Sequence, residues 1–160
     1  AYGDVAPPPR AGVTIGNTHV RLVASAEEGE REERERTEQE IRERYTKYEH
    51  FIPMRDGKRL FTAVYVPKDR SRPYPMMLNR TPYGLEPYGS DRYPARLATP
   101  AMLRAGYIFV QQDVRGCWMS EGEWQDVRPF LAKKSAGDVD ESSDTYDTVE
   151  WLLRHVPGHN

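Results

Sequence analysis

Scarcity of certain residues narrows the reading before any motif does. The sequence has one cysteine, Cys117, in 160 residues, so no internal disulfide can form and the redox compartment stays open. It lacks a charge excess of either sign. Its 23 basic and 25 acidic side chains leave a formal net charge of -2, too even for the basic field that draws nucleic acid or anionic lipid. No apolar run approaches the roughly eighteen residues of a membrane span, and no basic stretch leads into an apolar core of the signal-peptide kind. Neither nucleic acid nor a membrane is expected as a partner. Histidine is scarce, and although His155 and His159 are spaced as helical metal ligands would be, Pro157 interrupts the helix between them. Zinc is therefore not expected, nor any other cofactor. No G-x-S-x-G elbow occurs, so these residues offer no complete nucleophilic set.

What is present falls into three parts. Residues 1–25 carry Pro7-Pro8-Pro9 and no apolar periodicity, which predicts a disordered leader. From Glu27 to Arg44, fourteen of eighteen residues are charged. Glu precedes Arg by one helical turn at Glu27/Arg31, Glu30/Arg34, Glu32/Arg36, Glu38/Arg42 and Glu40/Arg44, so 26–45 is predicted to be an exposed helical arm docked only by Ile41 and Tyr45. Such an arm is also a candidate contact with a partner protein or a second copy of the chain.

The third part, 46–160, alternates strands and helices. Tyr48–Met54 and Arg59–Val66 flank an Arg-Asp-Gly-Lys turn and read as a hairpin. Met76–Leu78 opens a third strand ending at Arg80-Thr81-Pro82-Tyr83, and Gly84–Pro94 reads as a long surface loop of the kind that binds ligands. A helix is expected over Ala95–Ala105, with Pro100 as a point where it breaks or restarts. Tyr107–Gln112 is apolar enough for a central parallel strand buried on both faces. Asp140–His155 sets Tyr146, Val149, Leu152 and Leu153 at helical spacing, which predicts a helix lying on the sheet and closed by Pro157-Gly158. The fold class is α/β, an antiparallel hairpin leading into a mostly parallel sheet with flanking helices and a further strand to follow.

Several side chains invite a functional reading. Asp113 and Arg115 stand at the carboxyl end of the most apolar strand, where ligands gather in open α/β sheets, although a salt bridge that shapes the loop is the stronger expectation. Asp138, Asp140, Glu141, Asp144 and Asp147 look like calcium ligands. An EF-hand loop, however, would need glycine where Ser143 stands and a carboxylate at Val149, so favourable placement near a helix N-terminus accounts for them better. Trp118 and Trp124 are candidates for a pocket wall and Trp151 for the core. Cys117 has neither a base nor a strong thiolate-stabilising neighbour beyond Arg115, so it is not expected to be a nucleophile.

Four stretches taken together resemble the start of one hydrolase group. They are Ile52-Pro-Met-Arg-Asp-Gly57, Arg80-Thr-Pro-Tyr83, Asp113-Val-Arg-Gly116 with Ser120 and Gly122, and Asp140-Glu141 through Asp147-Thr-Val-Glu-Trp-Leu152. The group comprises the cocaine esterases, α-amino-acid ester hydrolases, glutaryl-cephalosporin acylases and X-Pro dipeptidyl peptidases. The resemblance implies an incomplete α/β-hydrolase fold that ends before its nucleophile elbow. The implied parent cleaves a small-molecule ester or amide through a Ser-His-Asp triad beyond this chain, and the 160 residues alone are inactive. It implies that Tyr83 donates its hydroxyl to an oxyanion hole. It favours a periplasmic or secreted location over a cytoplasmic one. The Cys117-Trp118-Met119 stretch departs from the group's usual small residues. Two rivals stand against this reading: a noncatalytic interaction module using the charged helix 27–44, and a hydrolase-fold protein without a triad.

Overall fold

Tyr45 marks the point where the charged arm becomes a sheet. The computed structural model describes residues 16–160 apart from residue 127, with side chains from residue 27 onward. Helix α1 (Gly16–Arg44) runs directly into β1 (Tyr45–Pro53), which is followed by β2 (Arg59–Pro67), β3 (Met76–Thr81), α2 (Pro100–Ala105), β4 (Ile108–Asp113) and α3 (Glu141–His155). The arm begins earlier than the boundary expected at residue 26. Between Asn17 and Glu28 the sequence holds no proline or glycine and several good helix formers, so nothing stops the helix there. Residues 1–15 of the expected leader lie outside the described residues. As expected, α1 is exposed along its charged stretch and docks through Ile41, which is fully buried beside Tyr45.

The hairpin forms because Gly57 supplies the positive φ that its turn requires, at 83°. Met54 closes the turn with bonds to Lys58 O at 2.7 Å and from Gly57 N–H at 2.9 Å. β2 then alternates perfectly. Leu60, Val64 and Val66 enter one apolar cluster with Ile52, Ile108, Val110 and Leu152, whereas Phe61, Ala63 and Tyr65 enter the other with Ile41, Leu103 and Phe109. The period of two thus builds one core on each face, and a fully buried aliphatic or aromatic side chain contributes about 1.5–3 kcal/mol there.

Sheet order is β1-β2-β4-β3. β4 is central as predicted, but it is parallel only to β3 and antiparallel to β2. The hairpin sets that sense, because β2 returns against β1 before the first crossover begins. The helix expected over Ala95–Ala105 is confined to Pro100–Ala105. Proline tolerates only a first helical turn, so Thr99 stays extended and caps the helix by accepting the Met102 N–H at 3.3 Å.

α3 starts at a capping box formed by Asp140 and Ser143. Its buried face differs from the predicted one. Asp144, Thr148 and Leu152 turn inward, while Tyr146, Val149 and Leu153 are exposed. The inward face is partly polar because it must meet a polar patch on the sheet: the Gln112 amide donates to Thr62 Oγ1 and Thr148 Oγ1, both at 2.9 Å. After α3 the chain returns to the edge of the sheet. The Tyr74 N–H donates to Gly158 O at 2.8 Å, and a parallel bridge joins Tyr74 to His159. This lies on the side of the β3 segment away from β4, since Pro75 O next along the chain accepts from Ile108 N–H at 2.9 Å.

Candidate functional site

Parallel pairing of β3 with β4 places Thr81 opposite Asp113, so the loops leaving both strands emerge at one end of the sheet. The first loop carries Tyr83. The Tyr83 N–H donates to Thr81 Oγ1 at 3.1 Å, which starts the turn, and the residue is 87% exposed. The second loop folds back over the first. The Trp118 indole N–H donates to Pro82 O at 2.9 Å, and the indole ring covers Gly84 so closely that a Cβ there would lie 3.0 Å from Trp118 Cε2. Gly84 also has φ +88°, so both space and backbone conformation select glycine.

Asp113 lies beneath the two loops with no solvent exposure. Its Oδ2 accepts from Tyr88 O–H at 3.0 Å and from Met119 N–H at 3.4 Å, while Oδ1 has no hydrogen-bond partner among the described residues. Burial pushes the Asp113 carboxyl above its ordinary value, partly offset by the Tyr88 hydrogen bond. Burial also pushes the Tyr88 phenol up to about 12, so it stays a neutral donor. Ser120 fastens the second loop to the sheet: its hydroxyl donates to Asp113 O at 2.6 Å and accepts from Phe61 N–H at 2.8 Å. Gly116 permits the fold-back, since a Cβ there would lie 2.2 Å from Trp124 N.

Arg115 is not bridged to its neighbour Asp113. Its guanidinium donates to Asp144 Oδ1 at 2.6 Å and to Asp56 Oδ2 at 2.7 Å, joining loop, helix and hairpin turn. Burial opposes its charge, but the two carboxylates more than compensate and hold it firmly protonated. The acidic cluster resolves the same way, into specific pairs more than a general response to the helix dipole. Asp140 is the cap, Glu141 pairs with Arg80 at 2.7 Å, and Asp147 pairs with Arg55 at 2.7 Å. No group of metal-ligating side chains is assembled among the described residues. Burial, reinforced by Asp113, raises the Cys117 thiol, the opposite of what a nucleophilic thiolate needs. Trp151 packs on the core as expected, flanked by His50 and His155 with ring centroids 5.0 and 4.3 Å away. The long loop expected over Gly84–Pro94 is tethered to β1: buried Lys47 donates to the carbonyls of Pro87, Gly89 and Arg92 at 2.7, 3.0 and 3.1 Å.

The structure therefore brings Tyr83, Trp118 and Asp113 to one end of the sheet and assigns Arg115 to the scaffold. Tyr88, Ser120 and Lys47 were not legible as contributors, because each acts on residues far away in sequence. Only the serine carried a signal, as part of the Asp113–Gly122 motif.

Comparison with known proteins gives a consistent answer. The family described as X-Pro dipeptidyl-peptidase (S15 family) matches residues 56–160. A cocaine esterase of Rhodococcus sp. (strain MB1 Bresler) is 34% identical over 111 residues, which is 66% of this chain and 16% of the esterase. Among solved structures, an aminopeptidase from a marine sediment Thaumarchaeota archaeon aligns with TM-score 0.58 and 35% identity over 72% of this chain and 20% of its own. An α-amino acid ester hydrolase aligns with TM-score 0.57 and 34% identity, again over 72% of this chain and 20% of its own. The chain thus spans about a sixth of the length of the curated relative it matches. The relatives are hydrolases of the α/β type, and the mixed sheet with flanking helices is the corresponding part of that fold.

Proposed function

Because this chain belongs to the X-Pro dipeptidyl-peptidase (S15) family, we propose that it forms the oxyanion-stabilising corner of a serine hydrolase acting on ester or amide bonds. Tyr83 supplies one of the two donors. The observation that carries the reading is the placement of Tyr83: an almost fully exposed phenol on a turn whose flanks are bonded, at the carboxyl end of two parallel strands. Ligands collect at that end of an open α/β sheet.

The chemistry follows from where charge develops. When a nucleophilic serine attacks an ester or amide carbonyl, negative charge builds on the carbonyl oxygen only as the tetrahedral state forms. A phenol O–H held in place stabilises that oxygen more than the ground-state carbonyl, and a single such donor contributes about 3–4 kcal/mol. The serine, and the histidine and aspartate that move its proton, belong to the proposal and not to these 160 residues. These residues by themselves are proposed to be inactive.

In the whole protein, Tyr83→Phe should lower kcat by about one to three orders of magnitude. Unfolding should be unchanged, since an exposed hydroxyl is all that is lost. An aryl ester, a β-lactam precursor ester and an X-Pro anilide assayed side by side would identify the substrate class. A kcat that survives the substitution on whichever substrate is cleaved best removes Tyr83 from this role.

A further inference from the structure

Tyr83 sits between two grips that the sequence does not reveal. On its amino-terminal flank, the Trp118 indole N–H donates to Pro82 O at 2.9 Å. On its carboxyl-terminal flank, the Leu85 N–H donates to Tyr88 Oη at 3.3 Å, and the Tyr88 hydroxyl donates onward to buried Asp113 at 3.0 Å. The two grips converge, since Asp113 is the last residue of β4, Trp118 lies in the loop that follows it, and Ser120 Oγ pins that loop to Asp113 O at 2.6 Å. Trp118 itself holds φ 50°, a conformation that bulky L-residues adopt only where their surroundings over-determine it. The consequence of that backbone is the ring's position over Gly84, 3.0 Å from where a Cβ would stand.

We propose that Trp118 and Tyr88 are positioning residues that clamp the turn of Tyr83 from both sides and so aim its hydroxyl at the reacting carbonyl. The proposal rests on the oxyanion reading of Tyr83. The physical need is plain: a phenol is a long lever, so a small rocking of the turn is magnified at the hydroxyl, and an error of about 1 Å in a catalytic group costs up to about a hundredfold in rate. Thr81 Oγ1 alone restrains the start of the turn and leaves rotation about its far side free. The clamp supplies the second and third points of support. It also assigns a purpose to the bulky Cys117-Trp118-Met119 stretch. Without the indole, the Pro82 carbonyl would have no such anchor.

The test uses the whole protein with Trp118→Phe, which keeps a ring over Gly84 and deletes the N–H donor, and with Tyr88→Phe, which deletes the hydroxyl. Each is made alone and together with Tyr83→Phe. Two readouts are taken: steady-state kinetics, and amide hydrogen exchange of the segment 82–86 with the β2 and β4 strands as internal folding controls. Exchange in 82–86 should rise at least about fivefold in either single variant while the strands are unchanged. Each variant should lower kcat about tenfold with KM within about twofold, and this loss should shrink below about twofold when Tyr83 is already Phe. Unchanged exchange in 82–86, or an equal loss of kcat in both backgrounds, overturns the clamp. If Tyr83→Phe by itself leaves kcat intact, the oxyanion reading fails and so does the catalytic purpose assigned to the clamp. A rise in exchange would then identify the two contacts as structural only.

Discussion

Asp113 shows how a single residue can be misread from sequence in its partner and yet correctly placed. Its position at the end of the most apolar strand marked it, but the tempting pair with Arg115, two residues on, does not form. In an extended strand end the two side chains share a face only if the chain stays extended, and here it turns at once into the loop. Asp113 is left buried, with one oxygen bonded and the other without a partner among the described residues. Its carboxyl is raised by burial, with Tyr88 and Met119 N–H opposing, so the folded state holds the proton more tightly than the unfolded chain does. The stability tied to that proton is fully present below the ordinary carboxylate value and is lost as pH rises through the raised one. Asp113→Asn keeps an acceptor for Tyr88 and removes the buried charge. It should therefore leave stability nearly unchanged at pH 4 and raise it by about 1 kcal/mol at pH 7, as read by urea unfolding at both values. A loss of similar size at pH 7 would show that the carboxylate is needed in its charged form. The place of Tyr83 on a turn at the end of β3 was legible because it ends a short motif. Tyr88 was not, since its partner lies 25 positions away.

At the scale of elements, α3 is the most instructive. Its helical period was plain in the sequence, but the face it buries was not, because apolar residues occupy more of its circumference than the sheet covers. The choice was made by ion pairs. Asp144 is fully buried against Arg115, whose side chain is 4% exposed. Removing Asp144 leaves this buried guanidinium with Asp56, a partly exposed carboxylate, as its remaining carboxylate partner. Asp144→Ala should cost about 3–5 kcal/mol in urea unfolding. A cost below about 1 kcal/mol would mean that water reaches Arg115 and that this joint between helix and loop is loose. The pairs of α1 contrast with it: Glu38–Arg42 and Glu40–Arg44 form at 3.1 Å, but all four side chains are well exposed, and such pairs contribute only about 0.3–0.5 kcal/mol each. The arm's regularity thus comes from local sequence, and its attachment from Ile41.

At the scale of the molecule, three acid-sensitive carboxylates lie along one seam, while Asp69, held down by Ser71 and Tyr74, and Glu121, held down by Arg59, lie apart from it. Burial raises Asp56, Asp140 and Asp147, but hydrogen bonds overrule it. Arg115 holds Asp56 down, Arg55 holds Asp147 down, and Leu131 N–H with Lys134 and Ser143 N–H holds Asp140 down. All three therefore end below their ordinary range. Their contribution is present above about pH 4 and disappears as pH falls through the lowered values. Since Asp140 and Asp147 tie α3 and its entry loop to their neighbours, and Asp56 reaches α3 through Arg115 and Asp144, acid should loosen α3 before it disrupts the strands. Hydrogen exchange at pH 5 and pH 3 should show protection lost first over 141–155 and last in β2 and β4. Simultaneous loss everywhere would mean that the seam is not a separate unit.

The order of residues along the chain was enough to set the alternation of strands and helices, the double-sided burial of β4, the hairpin turn and the Tyr83 motif. Each follows from forces acting within a few residues: side-chain period, proline and glycine geometry, and capping. Long-range packing set which face of α3 is buried, which carboxylates Arg115 meets, and that Trp118, Tyr88 and Asp113 surround the turn of Tyr83. Those contacts join residues tens of positions apart. They depend on the crossover that sets β4 parallel to β3 and so brings two distant loops to the same end of the sheet.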